Sequence, residues 1–358
     1  PSPSATVAVP PPAETTEAPS ADTPSTPQPR LGLLCPDLSS EEDASAALTE
    51  GVTAHNPAQT SLGAYAQIPE AYPVRALGGL ACEWSNGIPM SDKRGTVPEY
   101  VGLEYFVLPE AQAQWDQYVG TYQVVDDEQV YCTVDAPIYC TINTLVNGYW
   151  VEGVLSGLAV DPSLPDADIQ SAAREVFAPA VDAVSSAVAP GALWVAPEET
   201  VPLPGSCDEM VTPTEVATAL GLEQEVRSTT GGGGWSLSSA AFDTAAELPC
   251  SWILNGSDAG LGTLTWLPGG RWAAEEAMTV ATHPSTPEPV ELVGMAEPDS
   301  ADIRCSDSDT ACTIDMIVGG NWIQVTVDTS GTSQTLPPID IRGGATTIAE
   351  TVVANVSG

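Results

Sequence analysis

The chain has 358 residues, 43% of them hydrophobic, and carries 48 acidic against 9 basic side chains for a net charge of −39. That length suits about two domains with real cores. A negative field of this size repels phosphate backbones and anionic headgroups, so neither nucleic acid nor a membrane surface is an expected partner. Carboxylates are not unusually frequent; cations are scarce, and Lys93 is the only lysine. An exported protein with a self-repelling surface fits that balance, and it leaves cationic partners and divalent metals open. No run of about 20 apolar residues occurs, so no transmembrane helix is expected.

Residues 1–30 contain nine Pro, nine Ser or Thr and no aromatic residue. Such a segment favours extended, polyproline-like chain and cannot bury a core. It reads as a disordered tether whose hydroxyls would suit glycosylation. No charged n-region and apolar h-region opens the chain, so a signal peptide is expected to have been removed.

The first folded copy is expected over 31–187. Ser40 and Asp43 form a capping box for a short helix ending near Leu48. Strands follow around Cys82-Glu83-Trp84 and at LEYFVLP (103–109), then a helix over 110–122. In CTINTLVNGYW (140–150) the dipeptide Asn147-Gly148 suits a two-residue hairpin turn with positive φ between β-branched and apolar flanks. A closing helix is expected over 168–187.

The second copy, 207–358, repeats this order. Cys140 to Trp150 returns 172 residues later as CTIDMIVGGNW (312–322), and the same offset relates Cys35 to Cys207, the Ser40 box to Thr212-x-x-Glu215, and SLPDADI (163–169) to TLPPIDI (335–341). A cysteine, a capping box, a hairpin and a helix entry sharing one offset mark a tandem duplication. The matched helices fall at 271–281 and 343–356. From Cys82 to Pro109 the first copy spends 27 residues where the second spends 18 from Cys250 to Pro268, and the extra length holds Lys93 and Arg94. Residues 188–206, rich in Pro and Gly, read as an interdomain linker. The expected fold is α+β: two tandem homologous domains, each an antiparallel sheet with helices on one face.

Eight cysteines fall four per copy, Cys35, Cys82, Cys132 and Cys140, then Cys207, Cys250, Cys305 and Cys312. An even, duplicated count points to disulfides and an oxidising compartment. Zinc is disfavoured because no C-x-x-C occurs and His55 and His283 do not match between copies. Cys132 and Cys140 flank a turn-forming TVDAPIY, and Cys305 and Cys312 flank SDSDTA, so each pair faces across neighbouring strands. That leaves Cys35–Cys82 and Cys207–Cys250, whose long loops would each stabilise a domain by roughly 3–4 kcal/mol.

Signals for chemistry are sparse. No G-x-S-x-G elbow is present, all thiols are committed to bridges, and His55 and His283 sit in loop-like runs. A carboxylate pair would suit a hydrolase, yet 48 acids offer no way to choose two. Asp299, Asp302, Asp307 and Asp309 cluster near one turn without an EF-hand pattern and read as solvated. The GGGG at 231–234 lacks the strand and lysine of a phosphate loop. Matched Trp84 and Trp252, and Trp150 and Trp322, read as core. Unmatched Trp194 and Trp235, with Lys93 and Arg94, are the candidate binding residues.

CDEMVTPTEVATALG (207–221), CSW (250–252), TLTWLPGG (263–270) and CTIDMIVGGNW (312–322) resemble actinobacterial secreted lipoproteins and extracellular sensor-type domains, including those displayed by membrane receptor kinases. The first copy carries the pattern less cleanly, with TEG at 49–51 in place of ALG. The resemblance implies a sensor-like α+β fold with first-to-second and third-to-fourth disulfides, and a lipid anchor upstream of Pro1. It transfers no catalytic residue.

The resulting expectation is an extracellular, surface-tethered, non-catalytic binding protein for a small ligand or envelope partner, with no cofactor and no metal. A structural spacer and a secreted hydrolase using a carboxylate pair are the alternatives.

Overall fold

A computed structural model describes residues 25–57, 68–88, 100–122, 124, 128–133, 137–230, 236–245, 249–256, 260–279, 286–306, 308, 310–329 and 338–357. The first copy runs α1 (Cys35–Leu38), α2 (Glu41–Ala47), β1 (Thr53–His55), a 3-10 turn (Pro69–Ala71) leading into α3 (Pro73–Ala76), β2 (Leu80–Ser85), β3 (Gly102–Leu108), α4 (Gln112–Thr121), β4 (Glu128–Thr133), β5 (Tyr139–Val146), β6 (Tyr149–Ser156) and α5 (Asp166–Ser185). The second runs α6 (Cys207–Met210), α7 (Pro213–Ala219), β7 (Val226–Thr230), α8 (Leu237–Thr244), β8 (Cys250–Leu254), β9 (Gly260–Leu267), α9 (Arg271–Met278), β10 (Glu288–Pro289), β11 (Ser300–Cys305), β12 (Ala311–Val318), β13 (Asn321–Asp328) and α10 (Ile341–Ser357).

The strands form two antiparallel sheets, ordered β1-β2-β3-β6-β5-β4 and, read in the matching direction, β7-β8-β9-β13-β12-β11-β10. Six positions correspond one to one, and β10 extends the second sheet. The expected duplication is therefore the architecture. Register follows from the turns: Val146 pairs with Tyr149 and Val318 with Asn321, leaving two-residue loops. Their residues Asn147 and Gly148 have φ of 52° and 83°, and Gly319 and Gly320 have 53° and 83°. Positive φ at both places is the type I′ geometry that matches strand twist.

Capping and bridging also follow local chemistry. Ser40 accepts from the Asp43 N–H, and Thr212 and Glu215 close a reciprocal box. All eight cysteines pair within their own copy: Cys35–Cys82, Cys132–Cys140, Cys207–Cys250 and Cys305–Cys312. The short-loop pairs sit directly opposite each other in register, with Cα separations of 4.1 and 4.0 Å. Each pins the end of a hairpin.

One face of each sheet is covered by its closing helix. In α5, Ile169, Ala173, Phe177, Ala180 and Val184 recur at helical spacing and are fully buried against Trp84, Tyr105 and Val151. Phe177 lies where a side chain on Gly153 would stand, 2.5 Å from an added Cβ, so only glycine lets helix and strand approach. In α10 the stripe is Ile341, Ala345, Ile348, Val352 and Val356, packed with Trp252 and Val325.

The opposite faces are covered differently. The segment between the first and second strands of each sheet crosses to the other copy. Leu237, Ala240 and Ala241 of α8 are fully buried among Phe106, Leu108, Trp115 and Trp150 of the first copy. Reciprocally, Tyr72, between the 3-10 turn and α3, is fully buried among Leu267, Trp272, Ile317 and Trp322 of the second. Its ring meets Trp272 and Trp322 edge-on at 5.6 and 5.5 Å. These crossovers, with edge strands β1 and β7, join the elements expected from sequence. No helix among the described residues is long and apolar enough to cross a membrane.

Candidate functional site

Three polar regions stand out, and they differ in what they offer a ligand. The first is the seam between copies. Arg75 of α3 forks onto Glu276 of α9, with N–O distances of 2.6 and 2.9 Å, and the Asn56 side-chain amide donates to the same carboxylate at 2.7 Å. Burial opposes the Glu276 charge, but the hydrogen bonds and charge of Arg75 outweigh it and hold the carboxyl below its usual range. The guanidinium also lies 5.6 Å from the Tyr72 ring and 5.1 Å from that of Trp272. Every strong group here already has a protein partner.

The second region is the outer face of the first sheet. Glu83 and Glu104 are directly opposed across β2 and β3, each 1% exposed. The Tyr100 hydroxyl lies 3.0 Å from Glu104 Oε1 and 3.4 Å from Glu83 Oε1. Burial first, then these two carboxylates, raise the Tyr100 hydroxyl far above the ordinary phenol range, so it stays a donor. Glu152 on β6 is buried on the same face, opposite Asn143 of β5. At these exposures no substrate stands between the carboxylates, as glycoside hydrolysis would require.

The third region is hollow. Where β9 ends, Leu267-Pro268-Gly269-Gly270 turns the chain into α9, and Gly269 has φ of 64°. A Cβ on Gly269 would lie 2.7 Å from Ala196 and 3.1 Å from the Trp194 ring, so glycine is needed for the linker to approach. Asn321, fully buried, accepts from the Gly269 N–H and donates to the Val201 carbonyl, both at 2.9 Å. The Val201 N–H donates to Gly319 O at 2.8 Å. Linker, β9 turn and β12–β13 hairpin thus enclose a cavity of about 440 Å³, which residues 25 and 26 also line.

Arg271 is the first residue of α9, whose N-cap, Gly270, supplies no side-chain acceptor. The cavity is lined by this uncapped helix start, by Arg271 and Trp272, and by Asp299, Glu199 and Glu275. Arg271 is ion-paired with Asp299 at 3.6 Å, longer than a hydrogen bond, and its side chain is 34% exposed. Asp299 is also engaged by the Gly319 N–H at 3.0 Å. Arg30, Arg75, Arg174, Arg304 and Arg342 all reach a carboxylate within hydrogen-bonding distance, whereas Arg227, exposed on β7, has no carboxylate partner among the described residues. Trp272 is 9% exposed, and its indole N–H has no partner among the described residues. A second concavity, about 510 Å³ between α2 and α5, has no basic residue in its lining.

Of the sequence candidates, Trp194 is half-buried and packs behind this cavity against the Trp272–Trp322 cluster. Trp235, Lys93 and Arg94 lie outside the described residues, as do His283, Asp307, Asp309 and the four glycines at 231–234. His55 is on the edge strand β1, its Nε2 3.1 Å from the Thr53 hydroxyl. Asp302 faces Asp315 across β11 and β12. Among the described residues, no group of three or more His, Cys, Asp or Glu is placed to hold a metal ion. Sequence reasoning missed Arg271 and Trp272, and it read Asp299 as solvated, whereas that side chain is 14% exposed and accepts from the Gly319 N–H. The available signal was Gly269-Gly270-Arg271-Trp272, a basic residue opening a helix without a polar cap. No protein-family model, curated protein or solved structure matches this chain.

Proposed function

We propose that the chain is an exported, non-catalytic binding protein displayed at the cell surface, and that the cavity at the start of α9 takes a small zwitterion of the amino-acid type. The four disulfides support an oxidising, extracellular setting. One observation carries the ligand reading: Arg271 lines an open cavity, held there only by a loose 3.6 Å ion pair with Asp299.

A partly exposed guanidinium presents a planar fork that matches a carboxylate, and the start of α9 adds a favourable dipole. The volume falls within the roughly 300–1,000 Å³ of small-molecule sites. Exposed Glu199 and Glu275 line the same space and would receive an ammonium group. With a net charge of −39, a bare anion would be repelled at long range, whereas a zwitterion would not. Tether and linker both reach this point, which suits a receptor held out from a surface.

A melting screen of the full chain against the α-amino acids, followed by calorimetry on any that stabilise it, tests the reading. At least one is expected to bind, with affinity falling ten-fold or more in R271Q. Binding by none of them, or binding unchanged in R271Q, overturns it.

A further inference from the structure

The surfaces that the copies bury against each other are the same surface used twice. Each crossover leaves from the same slot, between the first and second strands of its sheet, and each lands on the matched strands of the other, at Trp150 and Leu108 or at Trp322 and Leu267. Val74 and Leu77, at α3, share one buried cluster with Leu237 and Ala240 of α8, so the two crossovers also touch. Polar contacts repeat the exchange. Arg75 reaches Glu276 on α9, while Thr244 of α8 accepts from Gln114 on α4, the helix matched to α9. A contacting b while b contacts a is the mark of an isologous, two-fold interface.

From this we infer that the chain is a fused dimer: the partner that fits each crossover surface is another copy of the same module, and the interface, not the linker, holds the halves together. No disulfide crosses the seam. Without its neighbour, the first sheet would expose Phe106 and Trp150 and the second Trp322 and Leu267, a continuous aromatic and aliphatic face that soluble monomers rarely leave open. The pairing is also selective. Where α9 has Glu276, α4 has Gln117, so two first copies would lose the partner of Arg75. That asymmetry favours first-with-second over first-with-first association.

The test cuts the full chain. A specific protease site inserted between Ala192 and Leu193, both exposed, would sever the linker after folding and leave Trp194 and Ala196 with the second copy. The cleaved protein is expected to show two fragments on a denaturing gel but one species of undiminished mass by light scattering at micromolar concentration. Separation into two monomers overturns the inference. In a second arm, the cleaved R75E variant is expected to associate at least ten-fold more weakly, and R75E/E276R to recover most of that loss. A double variant as weak as the single one would mean that the crossover does not seat on α9, and would overturn the proposed pairing. Neither readout depends on the cavity or its ligand.

Discussion

The outer faces of the two sheets share a scaffold and differ in where they keep their charge. In both, a buried tryptophan at the hairpin donates its indole N–H to the residue seven positions earlier: Trp150 to Asn143 at 2.9 Å, Trp322 to Asp315 at 3.0 Å. In both, that acceptor faces a second polar residue across the strands, Asn143 opposite Glu152 and Asp315 opposite Gln324. The acid has thus changed strands, from β6 in the first copy to β12 in the second. The second copy adds Arg304 from β11 as a buried ion-pair partner for Asp315, while the first has the exposed Tyr131 at the matching place. Burial still raises the Asp315 carboxyl, since Arg304, Gln324 and Trp322 only partly offset it. Duplication has kept the aromatic frame and one amide–acid pair; buried charge has drifted within that frame to wherever a local partner could satisfy it.

The hairpin ends differ in a related way. Tyr149 and Asn321, one residue before the matched tryptophans, both fasten the linker, through Val188 O at 2.6 Å and Val201 O at 2.9 Å. Beside the first hairpin, Arg30 bonds Glu110 and the Gly191 carbonyl, both at 2.7 Å, and so occupies the place that is a cavity beside the second. Glu110, at φ of 56°, stands where the second copy has Gly269.

Breaking the reciprocal seam should have the largest effect. Y72A removes a fully buried ring and is expected to cost about 3–5 kcal/mol, and L237A about 2–5 kcal/mol. Urea unfolding of the full chain measures both, and a loss below about 1 kcal/mol in either would mean that one crossover is dispensable and the comparison one-sided. Next comes the moved acid. N143D sets a second buried carboxylate against Glu152 and is expected to destabilise by about 1–3 kcal/mol, whereas N143D/E152Q restores the second copy's acid–amide pair, without its arginine, and should regain part of it. If the double variant is no better than the single, the two faces are not interchangeable.

The smallest expected effect belongs to the ion pair across the seam. E276Q should cost about 1–2 kcal/mol near neutrality, allowing for partial solvent screening. The Glu276 carboxyl is lowered in the folded state, so its contribution is present above the ordinary Glu range and is lost as pH falls through the folded value. The difference between wild type and E276Q, followed by thermal melts, should be flat above about pH 5 and shrink below it. A difference that grows on acidification would contradict the assigned partner.

Local chemistry made much of the fold legible. Asn147-Gly148 and Gly319-Gly320 specify hairpins because positive φ is cheap there, and the short separations of Cys132 from Cys140 and of Cys305 from Cys312 mark a second, bridged hairpin beside each. The amphipathic spacing of α5 and α10 names the residues that cover each inner face. The crossovers were not legible. α3 is only four residues long and α8 eight, too short for periodicity to announce a buried face, and both bury it against the other copy. Nor does a lone glutamate in a strand declare itself buried, so Glu83 and Glu104 passed as two acids among 48.

By itself, then, the amino-acid order determined the duplication, the strand and turn sequence, the bridges and the acidic character, because each depends on contacts near in the chain or on composition. Only the tertiary structure decided that the modules clasp one another, which carboxylates lie inside, and that Arg271 faces a cavity. Those outcomes depend on distant segments meeting, and side-chain burial and pairing have no local signature until they do.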